Sequence, residues 1–305
     1  MRAAGWLVAL ALLASPTARA EGWRDALADW WDRRDCVDPP ATGGAEEALP
    51  RARRGVFDNF ERDPSEIRIF NEACGLSSHK PMYLLLHSYS PDYDGRESEV
   101  LFGVSLKQRV LDYPIYLAYT QRSFFQVHNE PRSRPFRTSD YNPEAYYRWA
   151  PGRLPLAGWG LDLGAEHESN GEDLPLSRSW NRLYLQGFRG FGRKQAVSVK
   201  LWYRFPEERR DSPTDPTGDD NPDIEDFLGY GELRWWRLTG SLGQLEALLR
   251  GNPATGHGAV QLQFTQPLPK SAVYFMGYVW HGYGESLLDY DRAITRIGIG
   301  FAFAR

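Results

Sequence analysis

The chain has 305 residues, with 36 Lys and Arg against 40 Asp and Glu and a formal charge of −4. That length suits one large β domain or two small ones. The mild acidity, with no basic run, excludes nucleic acid as a partner.

The chain opens on a secretory signal over residues 1–20. Arg2 is the positive start, Trp6 to Ala14 the apolar core, and Ala18-Arg19-Ala20 an A-x-A cleavage site. The apolar run is too short to cross a bilayer as a helix. Cleavage leaves a mature chain starting near Glu21, with a formal charge of −6 once Arg2 and Arg19 are removed. No later run of ~18 apolar residues exists. The mature protein is therefore either soluble and exported or a membrane β-barrel.

Residues 21–78 read as a largely irregular periplasmic extension. They hold Pro39-Pro40, Gly43-Gly44, Arg51 to Arg54 and a short amphipathic helix near Trp23 to Trp31. Cys36 and Cys74 either form one disulfide in an oxidising compartment or stay unpaired, and neither sits in a metal-binding C-x-x-C pair.

From residue 79 to 305 the character changes to segments of alternating apolar and polar residues between turns. The expected strands are 81–88, 97–107, 114–126, 144–150, 156–169, 179–188, 194–205, 224–238, 243–250, 257–266, 271–282 and 292–303. In 194–205, Val197, Val199, Leu201, Tyr203 and Phe205 share one face, and Ser198, Lys200 and Arg204 the other. In 292–303, Ile297, Ile299, Phe301 and Phe303 oppose Arg296, Gly298 and Gly300. Such strands fit a barrel with lipid outside and a polar interior, although alternation alone leaves open a soluble barrel with the apolar face inward. The connections separate into short ones (108–113, 151–155, 189–193, 239–242, 267–270) and mostly longer ones (89–96, 127–143, 170–178, 206–223, 283–291). Short turns on one rim and long loops on the other is the outer-membrane pattern, and an even strand number lets the barrel close without edges.

The strand over 156–169 carries Trp159, Leu161, Leu163 and Ala165 on one face, and that face continues into His167 and Ser169. On the returning strand Asn181 shares the face of Leu183 and Leu185. A loop 170–178 centred on Leu174 pairs His167 with Asn181, about 5 Å apart on one surface. Serine, histidine and a side-chain carbonyl that orients the imidazole make a nucleophilic triad. The competing reading is three polar rim residues among lipid headgroups.

"HESNG" followed by "SRSWNRLY" at this spacing resembles outer-membrane phospholipase A. Further pieces agree: His79 to Pro81, Tyr119 to Gln126, Ser133 to Arg137, Asp219 to Ile224 and Gly282 to Tyr290. The resemblance implies an all-β, twelve-stranded antiparallel transmembrane β-barrel in the bacterial outer membrane. It implies a homodimer that hydrolyses phospholipid acyl esters (phospholipase A1 and A2, with lysophospholipase activity) and uses Ca2+. It makes Ser169 the nucleophile, His167 the base and acid, and Asn181 the orienting residue, with the Gly171 amide in the oxyanion hole. Ser177 and the Glu172 carbonyl match calcium ligands, Ser133 matches the ligand given by the partner subunit, and Gln121 matches a dimer-interface residue. Leu174 stands where some relatives place an aspartate that serves a second calcium site.

Taken by themselves, Asp219, Asp220 and Asp223 look like a calcium loop or, the reading preferred, a solvated acidic turn, and "GYGES" is a Gly-rich turn with no phosphate-loop context. His79, His87, His128, His257 and His281 lack metal spacing. The reading adopted is a calcium-dependent phospholipase. The alternatives are a non-enzymatic porin or structural barrel and a soluble exported esterase.

Overall fold

The computed structural model describes residues 76–93, 98–110, 113–156, 158–192, 194–212, 218–239, 243–269, 271 and 273–304. The expected signal, most of the expected extension and both cysteines lie outside the described residues.

In chain order the strands are β1 (Leu76–Ser78), β2 (Met82–Tyr89), β3 (Ser98–Arg109), β4 (Ile115–Phe125), β5 (Phe136–Trp149), β6 (Gly160–Ser169) and β7 (Ser179–Phe191). They continue with β8 (Gln195–Arg204), β9 (Gly231–Leu238), β10 (Gln244–Asn252), β11 (His257–Pro267), β12 (Tyr274–Gly282) and β13 (Ile294–Ala304), and a short helix α1 (Ile224–Leu228) precedes β9. Each long strand pairs with its antiparallel neighbours, and β13 closes on β2. β1 and β2 both lie along β3, with Ser78 opposite Leu106 and Tyr83 opposite Gly103. They act as one strand interrupted at His79–Pro81, so the closed barrel has twelve strands. β1 also moves the start of the barrel three residues earlier than expected, to Leu76.

The two faces settle which way the barrel is turned. Outward-pointing residues are apolar and open, with Leu117 50% exposed, Leu201 56% and Ile297 58%. The inward face is charged and paired. Arg296 meets Glu99 at 2.9 Å and Glu285 at 2.8 Å, Arg148 meets Asp162 at 2.7 Å, and Lys200 meets Glu166 at 2.9 Å. Buried ions persist only when partners replace their hydration. A soluble barrel would have the opposite arrangement, so this one is built for lipid outside. The interior is also shaped by single side chains. At Gly164 a Cβ would come within 2.5 Å of the Tyr184 ring, which fills that space.

Three expectations are corrected. β5 begins at Phe136, eight residues before the expected start, and pairs with β4 from Phe125–Phe136 onward. Its inward face is Thr138, Asp140, Asn142 and Glu144, all buried, and its outward Ser139, Tyr141 and Pro143 lack the aliphatics that mark the other strands. The expected strand 224–238 splits into α1 and β9. Pro222-Asp223 before Ile224 and Gly229 (φ +70°) after Leu228 supply helix start and stop signals. Ile224 and Leu228 join a buried cluster with Trp180, Trp202, Leu287 and Tyr290, so α1 packs inside the loop-bearing rim. Finally, β6 begins at Gly160, after Gly158 takes a left-handed φ of +82°.

Candidate active site

The β6–β7 hairpin sets the geometry. Its register pairs Glu166 with Arg182, His167 with Asn181 and Ser169 with Ser179, as a loop centred on Leu174 requires. Glu166 and Arg182 point inward, while His167, Ser169 and Asn181 lie half-buried on the outer face. His167 Nδ1 and Asn181 Oδ1 are 2.9 Å apart. Asn181 Oδ1 only accepts, so Nδ1 carries the proton and Nε2 is left as a proton acceptor. The backbone under His167 is held from inside. In the register that pairs Tyr141 with Ser169 and Glu144 with Glu166, Pro143 stands opposite His167 and has no N–H to give. Asn142 Nδ2 donates to the His167 carbonyl instead, at 2.9 Å.

The loop after Ser169 is tied by one buried side chain. Asn170 Oδ1 accepts from the Arg178 amide at 2.9 Å and the Glu172 amide at 3.3 Å, and its Nδ2 donates to the Leu176 carbonyl at 2.8 Å. Its own amide donates to the Arg178 carbonyl at 3.0 Å. Gly171 can then turn through φ +68°, with the Tyr141 ring 3.2 Å from where a Cβ would sit. This brings Gly171, Glu172 and Ser177 onto the same short loop that begins beside Ser169.

The segment between β8 and β9 brings further residues to the site; the sequence marked its acidic turn but neither Glu207 nor Arg210. Ser177 Oγ donates to Asp220 Oδ2 at 2.7 Å, Ser179 Oγ approaches the same oxygen at 3.3 Å, and Arg210 pairs with the other one. Asp219 binds Arg204 at 2.6 Å and Asp223 accepts from the Tyr290 hydroxyl. The expected solvated acidic turn is thus a set of partnered carboxylates. Burial and the Asp223 contact hold the Tyr290 phenol above its ordinary range. Glu207 Oε1 accepts from Asn181 Nδ2 at 3.0 Å.

Two expected residues lie apart. Ser133 is exposed in the loop between β4 and β5, on the same rim, at φ +59°. Gln121 is on the outer face of β4, bonded to the Tyr119 hydroxyl at 2.9 Å and to Ser123 at 3.0 Å. Register links it to the site, since Gln121 pairs with Tyr141 and Tyr141 with Ser169. Two strand spacings of ~4.8 Å separate Gln121 from Ser169. Tyr141 was missed because its strand was read as loop.

Among the described residues no group of three or more His, Cys, Asp and Glu side chains converges. What does converge at Ser177 is hard oxygen: two hydroxyls and one carboxylate. That donor set fits calcium.

Comparison with known proteins agrees with the fold. The phospholipase A1 family model matches residues 65–303. A putative phospholipase A1 of Neisseria meningitidis is 34% identical over 272 residues, covering 80% of this chain and 68% of that one. Phospholipase A1 of Escherichia coli is 35% identical over 227 residues, covering 70% and 72%. Among solved structures, outer membrane phospholipase A from Escherichia coli superposes with a TM-score of 0.66 at 32% identity, covering 74% of this chain and 97% of that one. A Salmonella typhi outer membrane phospholipase, a dimer with bound calcium, gives 0.65 at 31%, covering 74% and 91%. With its closed twelve-stranded barrel and a match over nearly all of the described residues, the chain belongs to the phospholipase A1 family.

Proposed function

We propose that the chain hydrolyses phospholipid acyl esters through an acyl-Ser169 intermediate, as a calcium-dependent homodimer in the outer membrane. Phospholipid hydrolysis in that membrane follows from the family, and the outward apolar face is its physical counterpart. The single observation that carries the finer reading is the 2.9 Å contact between His167 Nδ1 and Asn181 Oδ1 on the lipid-facing side, two residues from Ser169.

Ser169 Oγ attacks the acyl carbonyl carbon while His167 Nε2 takes its proton. Asn181 holds the imidazole in the tautomer that leaves Nε2 free to accept. The Gly171 amide faces the developing oxyanion. The protonated His167 gives its proton to the departing alcohol, leaving acyl-Ser169. Water then attacks the acyl group, again with His167 as base, and a fatty acid leaves. Ser177, Glu172 through its carbonyl, Asp220 and Ser133 of the partner subunit would hold calcium. Bound there, the ion supplies positive charge against the oxyanion. Gln121 lies where a second barrel would meet this one, on the row that leads to Ser169.

The test is phospholipid hydrolysis by detergent-folded protein. Ser169→Ala is expected to abolish turnover while keeping the heat-modifiable migration of a folded barrel, and chelation of calcium is expected to silence the parent protein reversibly. Ordinary activity in Ser169→Ala, or indifference to chelation, would sink the corresponding half of the reading.

A further inference from the structure

Asn181 faces two ways. Its carbonyl oxygen meets the His167 ring at 2.9 Å and its amide nitrogen meets Glu207 at 3.0 Å. An amide can turn over about its last bond, exchanging oxygen for nitrogen, and His167 needs the oxygen. A carboxylate only accepts, so the Glu207 position rewards one orientation: nitrogen toward Glu207, oxygen toward His167. Turned over, the amide would set oxygen against carboxylate and N–H against N–H.

The segment carrying Glu207 is fastened near the site. The Phe205 amide donates to the Asn181 carbonyl at 2.9 Å, the Asp219 amide donates to the Glu208 carbonyl at 2.7 Å, and Arg210 pairs with Asp220. Within it Glu207 and Arg210 are half-buried, while Pro206, Glu208 and Arg209 are exposed. Two neighbouring charges therefore point to solvent, and Glu207 turns to the active-site amide.

We propose that Glu207 is a positioning residue that fixes the side-chain orientation of Asn181, and that its charge, relayed through the amide, supplies the imidazolium stabilisation a neutral asparagine lacks. This rests on the reading of His167 as base and Asn181 as its orienting group. It extends the triad to a chain of four: Ser169, His167, Asn181, Glu207.

The experiment uses the full-length protein folded in detergent, with kcat and KM measured on a micellar ester. Glu207→Ala is expected to lower kcat roughly tenfold, the size of one charge-assisted hydrogen bond, with KM unchanged. Glu207→Gln keeps an acceptor but loses the charge. It is expected to fall less than Glu207→Ala, again in kcat and not in KM. Asn181→Asp places a carboxylate against Glu207 and is expected to be poor at neutral pH. Adding Glu207→Gln, which can donate to that carboxylate, is expected to raise its activity. Parental kcat in Glu207→Ala, or no recovery in the Asn181→Asp, Glu207→Gln pair, would overturn the proposal. His167→Ala and Asn181→Ala separate the two levels. If both retain activity the triad reading itself fails, and if both are inactive while the Glu207 variants are silent, only the role of Glu207 fails.

Discussion

Asp220 is shared between Ser177, Ser179 and Arg210, and that sharing has a measurable consequence. Calcium affinity depends on how many charged oxygens a site provides. A guanidinium on the same carboxylate competes with an arriving cation. Asp220→Asn is expected to weaken calcium binding roughly tenfold or more, and Arg210→Ala to tighten it, by calorimetric titration of the folded protein in detergent. Two variants that bind calcium like the parent would remove Asp220 from the site. His167, Ser169 and Asn181 were legible as a group in the sequence because two rules fix them: side chains alternate along a strand, and the centre of a short loop sets the register. Asp220 was legible only as part of an acidic turn, and Glu207 was not legible. They reach the hairpin from a long loop between β8 and β9, whose path no periodicity dictates.

At the scale of the element, the loop 170–178 depends on Asn170, whose buried side chain makes three bonds across it. Those bonds work beside the Leu176 and Ser177 amides, which donate to the Asp173 carbonyl, and Ser177 Oγ, which donates to Asp220. Each contributes about 0.5–1.5 kcal/mol net. Asn170→Ala is expected to free the loop locally, with faster amide exchange and proteolysis between Gly171 and Ser177. The barrel is expected to keep its thermal midpoint, because its strand ladders are untouched. Activity should fall far more than stability. Equal losses of both would mean that the loop is coupled to the barrel as a whole. Most strands could be read from alternation, since their outward face is apolar. β5 could not, because Ser139, Tyr141 and Pro143 face outward around the site where lipid-facing strands normally carry aliphatics. α1 was hidden by its five-residue length, too short for a helical period to show.

For the whole molecule, alternation alone left two barrels possible, and the charges decided between them. Arg296, Glu99 and Glu285 sit inside together, where a soluble barrel would place its apolar core. The outer surface is then a solvent-facing problem only until lipid or a second barrel covers it. Ser133 lies on the same rim as Ser177 but in another loop, exposed at φ +59°, with its amide bonded to the Glu130 carbonyl at 2.9 Å. In the proposed two-fold dimer each site would take one such loop from the opposite subunit. Proline cannot adopt that φ and has no N–H, so Ser133→Pro should remodel the loop and inactivate the homodimer. Ser169→Ala is expected to be inactive for a different reason and to keep its Ser133 loop. In a mixed dimer, the subunit with Ser169 receives an intact Ser133 loop from its partner and forms one working site. Equimolar mixing of the two dead proteins before refolding is therefore expected to restore about a quarter of parental activity, half the dimers being mixed and each having one of two sites. Restoration should also depend on calcium and disappear on dilution into excess detergent. If Ser133 instead served the site of its own subunit, mixing would restore nothing.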